Sequence, residues 1–225
     1  MAAALQKFDS IGQERVNQAV RKAESATSAE ILPVVSFSSG RYDRSEDIVG
    51  LWMAAISVSL VWLVFPNTQP EPGGWGHVEP VWHLAALLGA MLVGFIVGTC
   101  VGERVSWLRR LFTPRVQMQQ EVFRRARELF FDQRVHHTMG RSGVLLYVSL
   151  FEHMAAVITD QTVIEKLGQG KIDKLCHELT QRLHEENLID ALCNTIILLG
   201  DELSPLLPRA EHDSNELPDA LVVID

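Results

Sequence analysis

Two long apolar stretches dominate the pattern of hydrophobic and polar positions along the chain. Residues 49–65 (VGLWMAAISVSLVWLVF) form a run of 17 without a charge, and residues 81–101 (VWHLAALLGAMLVGFIVGTCV) form a run of 21 without a formal charge. As helices they would extend about 26 and 32 Å at 1.5 Å per residue. The hydrocarbon core of a bilayer is roughly 30 Å thick. The pattern therefore predicts two transmembrane helices, joined by an external loop at residues 66–80.

The residues that flank the two stretches predict their orientation. The connecting loop has no Lys or Arg, whereas arginines lie on the outer flanks of the pair: Arg41, Arg44, Arg104, Arg109, Arg110 and Arg115. By the positive-inside rule, both chain ends then lie in the cytoplasm. Tryptophans lie near the predicted boundaries, as in an interfacial aromatic belt: Trp52, Trp62, Trp75, Trp82 and Trp107.

Small residues recur every four positions in the second predicted membrane helix. They are Ala86, Ala90, Gly94, Gly98 and Gly102. Small side chains let two helix backbones approach closely within a membrane. The partner is either the first helix of the same pair or a second copy of the protein in a homodimer, and we favour the first. Neither helix carries an ionisable residue near its middle, which argues against a proton relay or an ion path.

The rest of the sequence predicts a cytoplasmic α/β domain that the membrane hairpin splits. Residues 1–45 and 103–209 form its two parts, and residues 210–225 form a C-terminal tail. Apolar runs predict strands at residues 29–37, 143–150 and 154–159, and an edge strand at 220–224. Helical spacing predicts helices after a capping box at Ser10 and over 116–131, 162–167, 171–186 and 188–203. The 116–131 helix is expected to place these residues in the core: Val116, Val122, Phe123, Ala126, Leu129 and Phe130.

Several of these motifs together resemble the TPM domain family. The chain has ARELF at residues 126–130, RSGVLLYVSL at residues 141–150, and then Glu152-His153 and ITD at residues 158–160. Its tail has NELPD at residues 215–219. The pattern is similar to the bacterial membrane branch of that family, in which a two-helix membrane hairpin also interrupts the domain. The resemblance covers nearly the whole chain.

The resemblance implies a fold, a location and a range of activities. The fold would be a compact TPM-like four-stranded α/β domain with flanking helices, and the location would be the bacterial inner membrane, with the chain as a multi-pass protein. Some members of the family bind calcium, and some are assigned acid phosphatase activity or roles in the assembly of membrane complexes. No role is assigned to the membrane branch.

Composition and charge narrow the classes of function. The formal net charge is −8, which argues against nucleic acid as a partner because binding to phosphates requires a basic surface. The three cysteines have neither the pairing of a disulfide framework nor the spacing of a metal site: Cys100, Cys176 and Cys193. They are expected to be reduced.

Two groups of residues are candidates for chemistry. Asp132, Glu152 and Asp160 follow predicted helix or strand ends, where α/β folds often hold sites, and carboxylate oxygens suit Ca²⁺. Ca²⁺ takes six to eight oxygen ligands, however, and three carboxylates supply few of them. His136 and His137 are adjacent on a predicted loop and could bind a metal or a phosphate, although neighbouring residues rarely point at one ion.

Two functions remain open at the level of sequence. The favoured one is a membrane-anchored, non-catalytic interaction or assembly factor in a membrane complex, whose partners are the lipid bilayer and either a membrane protein or a second copy of the chain. The alternative is a metal-dependent hydrolase similar to a phosphatase that uses Asp132, Glu152 and Asp160. The sequence leaves the identity of any partner or ligand undefined.

Overall fold

The chain folds as two units, seen in a computed structural model that describes residues 10–40, 42–64, 80–138, 140–209, 216–218 and 220–224. The first unit comprises residues 1–40 and 116–225, and the second comprises residues 41–115. The second unit contains both apolar stretches of the sequence. The predicted external loop lies outside the described residues except for Pro80, and so do Phe65, Asn215 and Asp219.

The first unit contains the strands and most of the helices. In chain order its elements are α1 (Ser10–Glu24), β1 (Glu30–Ser36), then, after the second unit, α5 (Arg115–Asp132), a 3₁₀ turn (Val135–His137), β2 (Gly143–Ser149), β3 (Met154–Thr159), α6 (Gln161–Leu167), α7 (Gln169–Glu185), α8 (Leu188–Leu203) and β4 (Val222–Ile224). The second unit contains α2 (Asp43–Val64), α3 (Pro80–Arg104) and α4 (Ser106–Leu111).

The strands form one mixed sheet in the order β3-β2-β1-β4. β1 is parallel to β2 and to β4, while β2 and β3 form the antiparallel hairpin that the sequence predicts. Parallel neighbours need a long crossover connection, and the segment between β1 and β2 contains α5 together with the whole second unit. The predicted α/β class is confirmed by this mixed arrangement of helices and sheet.

Both faces of the sheet are covered, so the central strands are apolar throughout. Along β1, Ile31 and Val35 face one core, and Leu32 and Val34 face the other. The first core is formed with α1, α6, α7 and α8, and the second with α5 and Leu217 of the tail. Every residue of β1 and β2 is buried. A strand buried on both faces loses the alternation of polar and apolar residues, which explains the run GVLLYVS in β2.

Most predicted elements occur with shifted ends. The first apolar helix begins at Asp43 rather than at Val49, because its first turn is polar and gives no hydropathy signal. The tail strand is shorter than expected and starts at Val222, and it pairs with Val34–Ser36 of β1. The tail therefore completes the sheet of its own chain.

The second unit is an antiparallel pair of apolar helices. The segments Glu46–Val64 and Val81–Arg104 are long and apolar enough to cross a membrane, and only 17% and 11% of the respective windows are buried. Core helices of a soluble domain would be mostly buried, so this exposure favours the predicted membrane hairpin. The location of these helices in a membrane stays a prediction.

Three of the four glycines of α3 face α2. A Cβ atom added at Gly94 would lie 2.9 Å from the Met53 carbonyl oxygen, and one at Gly98 would lie 2.8 Å from the Gly50 Cα atom. Gly102 is buried as well, against Glu46 and Val49. Ala90 is half-buried, but Ala86 is exposed, and so the contact with α2 does not follow the whole predicted stripe. The contact surface between α2 and α3, called the seam below, instead includes His83, whose ring stacks on Trp62 at 5.6 Å.

Substitution of Gly98 by leucine is expected to destabilise the helix pair, whereas the same substitution at Gly89 is expected to have little effect. A side chain at Gly98 meets the backbone of α2, and overpacking of this kind costs about 1–3 kcal/mol. At Gly89, no atom lies within 4 Å of an added Cβ. Thermal unfolding of both variants in mild detergent compares them. If Gly89→Leu were the damaging change, the seam would lie on the other face of α3, as in a homodimer.

Candidate functional site

The predicted acidic residues are dispersed along the sheet. Glu152 lies in the turn that precedes β3, and Asp160 follows the last residue of β3. The two thus flank a strand of six residues, about 20 Å at 3.4 Å per residue. A shared cation would need both carboxylates within a few ångströms of one point, and so the structure does not bring these two together.

Asp160 performs a structural task at the start of α6. Its Oδ1 atom accepts a hydrogen bond from the Gln161 backbone N–H at 3.1 Å, which makes it the N-cap of the helix. Its own backbone N–H donates to the Gly143 carbonyl at 2.9 Å, at the beginning of β2. The cap fixes the chain where β3 passes into α6.

Glu152 is buried in a polar cluster that the sequence analysis did not identify. Only 1% of the residue is exposed, and its carboxylate accepts the Ser39 backbone N–H at 2.9 Å and the Ser149 hydroxyl. The Ser39 hydroxyl in turn lies 2.9 Å from the Tyr147 phenol. We refer to Ser39, Tyr147, Ser149 and Glu152 as the Glu152 cluster.

The Glu152 cluster closes one edge of the sheet. Ser36 and Ser149 are register partners at the carboxyl ends of β1 and β2, an edge at which α/β folds often bind ligands. Here the four side chains are nearly inaccessible, and burial raises the pKa of the Tyr147 phenol, which therefore stays neutral at physiological pH. The cluster satisfies its own polar groups and joins the segment after β1 to the β2–β3 turn. Its arrangement suits a structural role, in which it holds these two segments together.

The two predicted histidines contact each other, and His136 also lies beside an aromatic side chain. They end the 3₁₀ turn that follows α5, and the His136 ring is 5.0 Å from Phe131 and 5.9 Å from His137. Asp132, the last residue of α5, is exposed. Within the described ranges, no group of three or more His, Cys, Asp or Glu side chains converges as a metal site would require. The structure therefore places His136 next to Phe131 and His137 next to His136, and no described residue completes a metal site with them.

The structure shows that the predicted core face of α5 is partly wrong. Val116 and Phe123 are 64% and 45% exposed, whereas Met118, which the sequence analysis left out, is buried. The reason is helix geometry: one stripe of the helix faces the sheet, and Phe123 lies about 100° around the axis from Val122. The buried residues are Met118, Val122, Ala126, Leu129 and Phe130.

The exposed residues of α5 form a continuous stripe along the helix. Val116, Gln120, Phe123, Arg127 and Phe131 follow one another at spacings of three or four residues and so share one face. We call this set the α5 stripe. A shallow groove of about 460 Å³ lies along it, and Arg124 and Glu128 complete the lining. Phe131 is 60% exposed, and so the stripe presents two aromatic rings to the outside of the unit. The sequence signal was the eight-residue interval between Phe123 and Phe131 with an arginine between them.

The charged groups of the stripe differ in their partners. Arg124 forms ion pairs with Glu121 and with Glu128 on the same helix, and its hydrogen bond to Glu121 raises the pKa of the guanidinium. Arg127 is exposed and takes part in no ion pair with any described residue. Arg127 is thus a cation between two aromatic rings that remains available to a partner.

Comparison with known proteins places the fold but not the function. No protein-family model matches the chain, and no curated protein sequence matches it significantly. Among solved structures, the chain is similar to the NMR structure of the BA42 protein from the psychrophilic bacterium Bizionia argentinensis, with a TM-score of 0.55 and 15% sequence identity. The match covers 96% of this chain and 94% of that chain. Similarity at this level of identity concerns the fold alone.

Proposed function

We propose that this protein is a membrane-anchored interaction or assembly domain that binds a partner protein through the α5 stripe. The observation that carries the proposal is the exposure of Val116, Phe123 and Phe131 on a helix whose opposite face is in the core. Aromatic residues and arginine are the side chains that contribute most at protein interfaces. Exposed apolar side chains that form one stripe indicate an interaction surface more strongly than scattered ones do.

The anchor in this proposal is the pair α2 and α3. Their apolar side chains are exposed along most of their length, and arginines flank both outer ends. The protein would be a multi-pass protein of the bacterial inner membrane, with both chain ends in the cytoplasm. The α/β unit would then be cytoplasmic. Only the short helix α4 and a few residues on either side of it separate the end of α3 from the start of α5.

The resemblance to the TPM family supports the same role. It implies a domain of this size and class, and in some members a part in the assembly of membrane complexes. The four strands, the β2–β3 hairpin and the helical insertion between β1 and α5 agree with what the resemblance implies. The finer family assignment is therefore part of the proposal.

The partner that suits the α5 stripe is an amphipathic helix with acidic residues, carried by another membrane protein. The stripe from Val116 to Phe131 extends about 22 Å, enough for four turns of a partner helix. Phe123 and Phe131 would contact its apolar face, as anchor residues do in helix-in-groove complexes. Arg127 would pair with a carboxylate, because it has no ion pair within the described part of its own chain.

The hydrolase alternative stays a prediction. Its three carboxylates are an exposed helix end, a buried acceptor and a helix cap, and no described contact joins them: Asp132, Glu152 and Asp160. No observation favours that function over the interaction domain. Calcium binding by the family remains an implication of the resemblance.

Photo-crosslinking in membranes tests the proposed surface. With a photoreactive phenylalanine analogue at Phe131, we expect one defined adduct with a membrane protein. The analogue at Gln181, an exposed position on α7, serves as the matched control and should give none. The adduct should be lost on substitution of Phe123 by serine, or of Arg127 by glutamate, because each removes an anchor without touching the core.

The proposed surface requires both the adduct from position 131 and the loss of that adduct in the two variants. An adduct that survives Phe123→Ser and Arg127→Glu, or that forms equally from Gln181, would contradict the surface assignment. An adduct between two copies of this chain would show that the partner is a second copy in a homodimer and not another membrane protein. Affinity purification in detergent that recovers neither a stoichiometric partner nor self-association would count against an interaction domain altogether.

A further inference from the structure

We propose that α4 is an interfacial helix that binds the headgroups of anionic phospholipids. This inference rests on the membrane anchoring proposed above and is independent of the α5 stripe. It concerns residues 104–115, which no part of the proposed interaction surface uses. The ligand it names is the phosphate-bearing headgroup of a lipid in the cytoplasmic leaflet.

The position of α4 in the second unit suits this role. α3 ends at Arg104, a single residue follows, and α4 begins at Ser106. α4 contacts both α2 and α3, and so it lies against the end of the helix pair at which the chain leaves the bilayer. In a membrane, α4 would therefore lie at the depth where lipid headgroups are found.

One face of α4 is apolar and open. Trp107 and Leu111 are four residues apart and so share a face, and they are 69% and 67% exposed. Tryptophan is enriched at the membrane interface because its ring is apolar while its N–H can bond to water or headgroups. An exposed Trp–Leu pair is unfavourable in water, but it is stabilised where it enters the boundary between headgroups and acyl chains.

The charges around α4 complement an anionic surface. Segment 103–116 contains one acidic residue, Glu103, and four arginines, in a chain whose net charge is −8. Arg104 and Arg115 are exposed and Arg110 is half-buried, and none of the three forms an ion pair with any residue that the structure describes. A cluster of arginines next to a membrane helix is the arrangement that attracts anionic lipid.

Acidic residues at the same end of the helix pair offer a competing explanation. Glu46 and Asp47 lie in the first turns of α2, and Gly102 of α3 packs against Glu46. The arginines could balance these carboxylates rather than bind lipid. The two cases differ in what an added lipid does, because internal pairing would leave no preference for an anionic headgroup over a zwitterionic one.

The test uses the full chain in a neutral detergent and follows Trp107. Short-chain phosphatidylglycerol is titrated into the protein, and the Trp107 signal is the difference in fluorescence between the parent chain and Trp107→Phe. We expect saturable binding of phosphatidylglycerol, weaker binding at high salt, and no comparable response to short-chain phosphatidylcholine. Inorganic phosphate at equal concentration should leave the signal unchanged, since a soluble anion brings no acyl chain to the Trp107–Leu111 face.

A triple variant removes the proposed charges. Arg104→Gln, Arg110→Gln and Arg115→Gln together should weaken the apparent affinity for phosphatidylglycerol by about tenfold or more, because each cation near an anionic surface contributes to binding. The matched control is the removal of three exposed arginines from the other unit, at Arg134, Arg141 and Arg209. That control variant should bind as the parent does.

The outcomes separate this inference from the anchoring on which it rests. Carbonate extraction of membranes shows first whether the parent chain is integral. If the protein is released, both the anchoring and the lipid site are wrong. If it is retained but binds the two lipids equally, responds to phosphate alone, or tolerates the triple substitution, only the lipid site is wrong.

Discussion

Substitution of Glu152 by leucine is expected to lower the free energy of unfolding by about 4 kcal/mol, since each buried donor left without an acceptor costs roughly 1–3 kcal/mol. The variant removes the acceptor of both the Ser39 N–H and the Ser149 hydroxyl, and neither donor can reach water. Leucine is no smaller than glutamate, so the change leaves no cavity and the loss arises from the polar groups left without a partner. For a unit of this size, that loss corresponds to a decrease in Tm of roughly 10 °C.

The control for this prediction is an exposed glutamate. Glu165 lies on the outer face of α6 and bonds only to the Gln161 side chain in the part of the chain that is described, so Glu165→Leu should change stability by less than about 0.5 kcal/mol. Glu152→Gln should lie between the two, because its amide keeps one acceptor oxygen. Thermal unfolding of the full chain in detergent, followed by circular dichroism, gives all three values.

A double-mutant cycle tests whether the Glu152 cluster acts as a unit. Ser149→Ala removes one of the two donors, and in the Glu152→Leu background it should therefore cost less than it does alone. Additive losses would show that Ser149 and Glu152 contribute separately, and a loss below about 1 kcal/mol for Glu152→Leu would show that water reaches the site. Either result would contradict the structural role that we assign to the Glu152 cluster.

The elements of the sheet could be predicted where the physical signal is local. β2 and β3 are apolar runs of strand length separated by a short turn, and their antiparallel pairing follows from that proximity along the chain. The two apolar helices needed only their length and composition. The N-cap role of Asp160 is a local feature of the same kind, because a helix cap depends on neighbouring residues.

The pairing of β1 could not be predicted from its own residues. Its two partners, β2 and β4, are more than 100 residues away along the chain, and nothing in EILPVVS specifies which strands will lie beside it. The tail strand β4 has only three residues and would be marginal alone. It persists because its backbone bonds continue beyond the ladder, with the Phe37 N–H donating to the Ile224 carbonyl at 3.1 Å.

The candidate site was incompletely predicted for a related reason. Serine is common in loops, so Ser39 gave no indication that its backbone would meet a buried carboxylate 113 residues later in the chain. On α5, the members of two pairs of adjacent apolar residues are similar in hydrophobicity but differ in burial: Phe130 is buried and Phe131 exposed, and Val122 is buried and Phe123 exposed. Hydrophobicity alone does not distinguish such neighbours. The position of the sheet around the helix axis does.

The Glu152 cluster and the α5 stripe lie at different places in the first unit and would serve different purposes. The cluster fixes the segment 36–40, from which the chain leaves the sheet for the helical insertion. The stripe lies on the helix with which the chain returns.

Substitution of Gly143 by alanine is expected to destabilise the first unit by about 3 kcal/mol, at the upper end of the range for overpacking. An added Cβ would lie 2.1 Å from the Val135 carbonyl oxygen, which belongs to the backbone of the 3₁₀ turn and cannot rotate away as a side chain does. Gly170 is the matched control: no atom lies within 4 Å of its added Cβ, and alanine there should be neutral or slightly stabilising within a helix.

The damage at Gly143 should also reach the α5 stripe. The 3₁₀ turn carries His136, whose ring lies 5.0 Å from Phe131, so a turn displaced from β2 would move the aromatic end of the stripe. We therefore expect Gly143→Ala to lower the Tm by roughly 6–12 °C and, below the new Tm, to weaken the crosslink from position 131. Gly170→Ala should do neither. A Gly143→Ala variant that unfolds earlier but keeps the full adduct would show that the α5 stripe keeps its geometry without support from the turn.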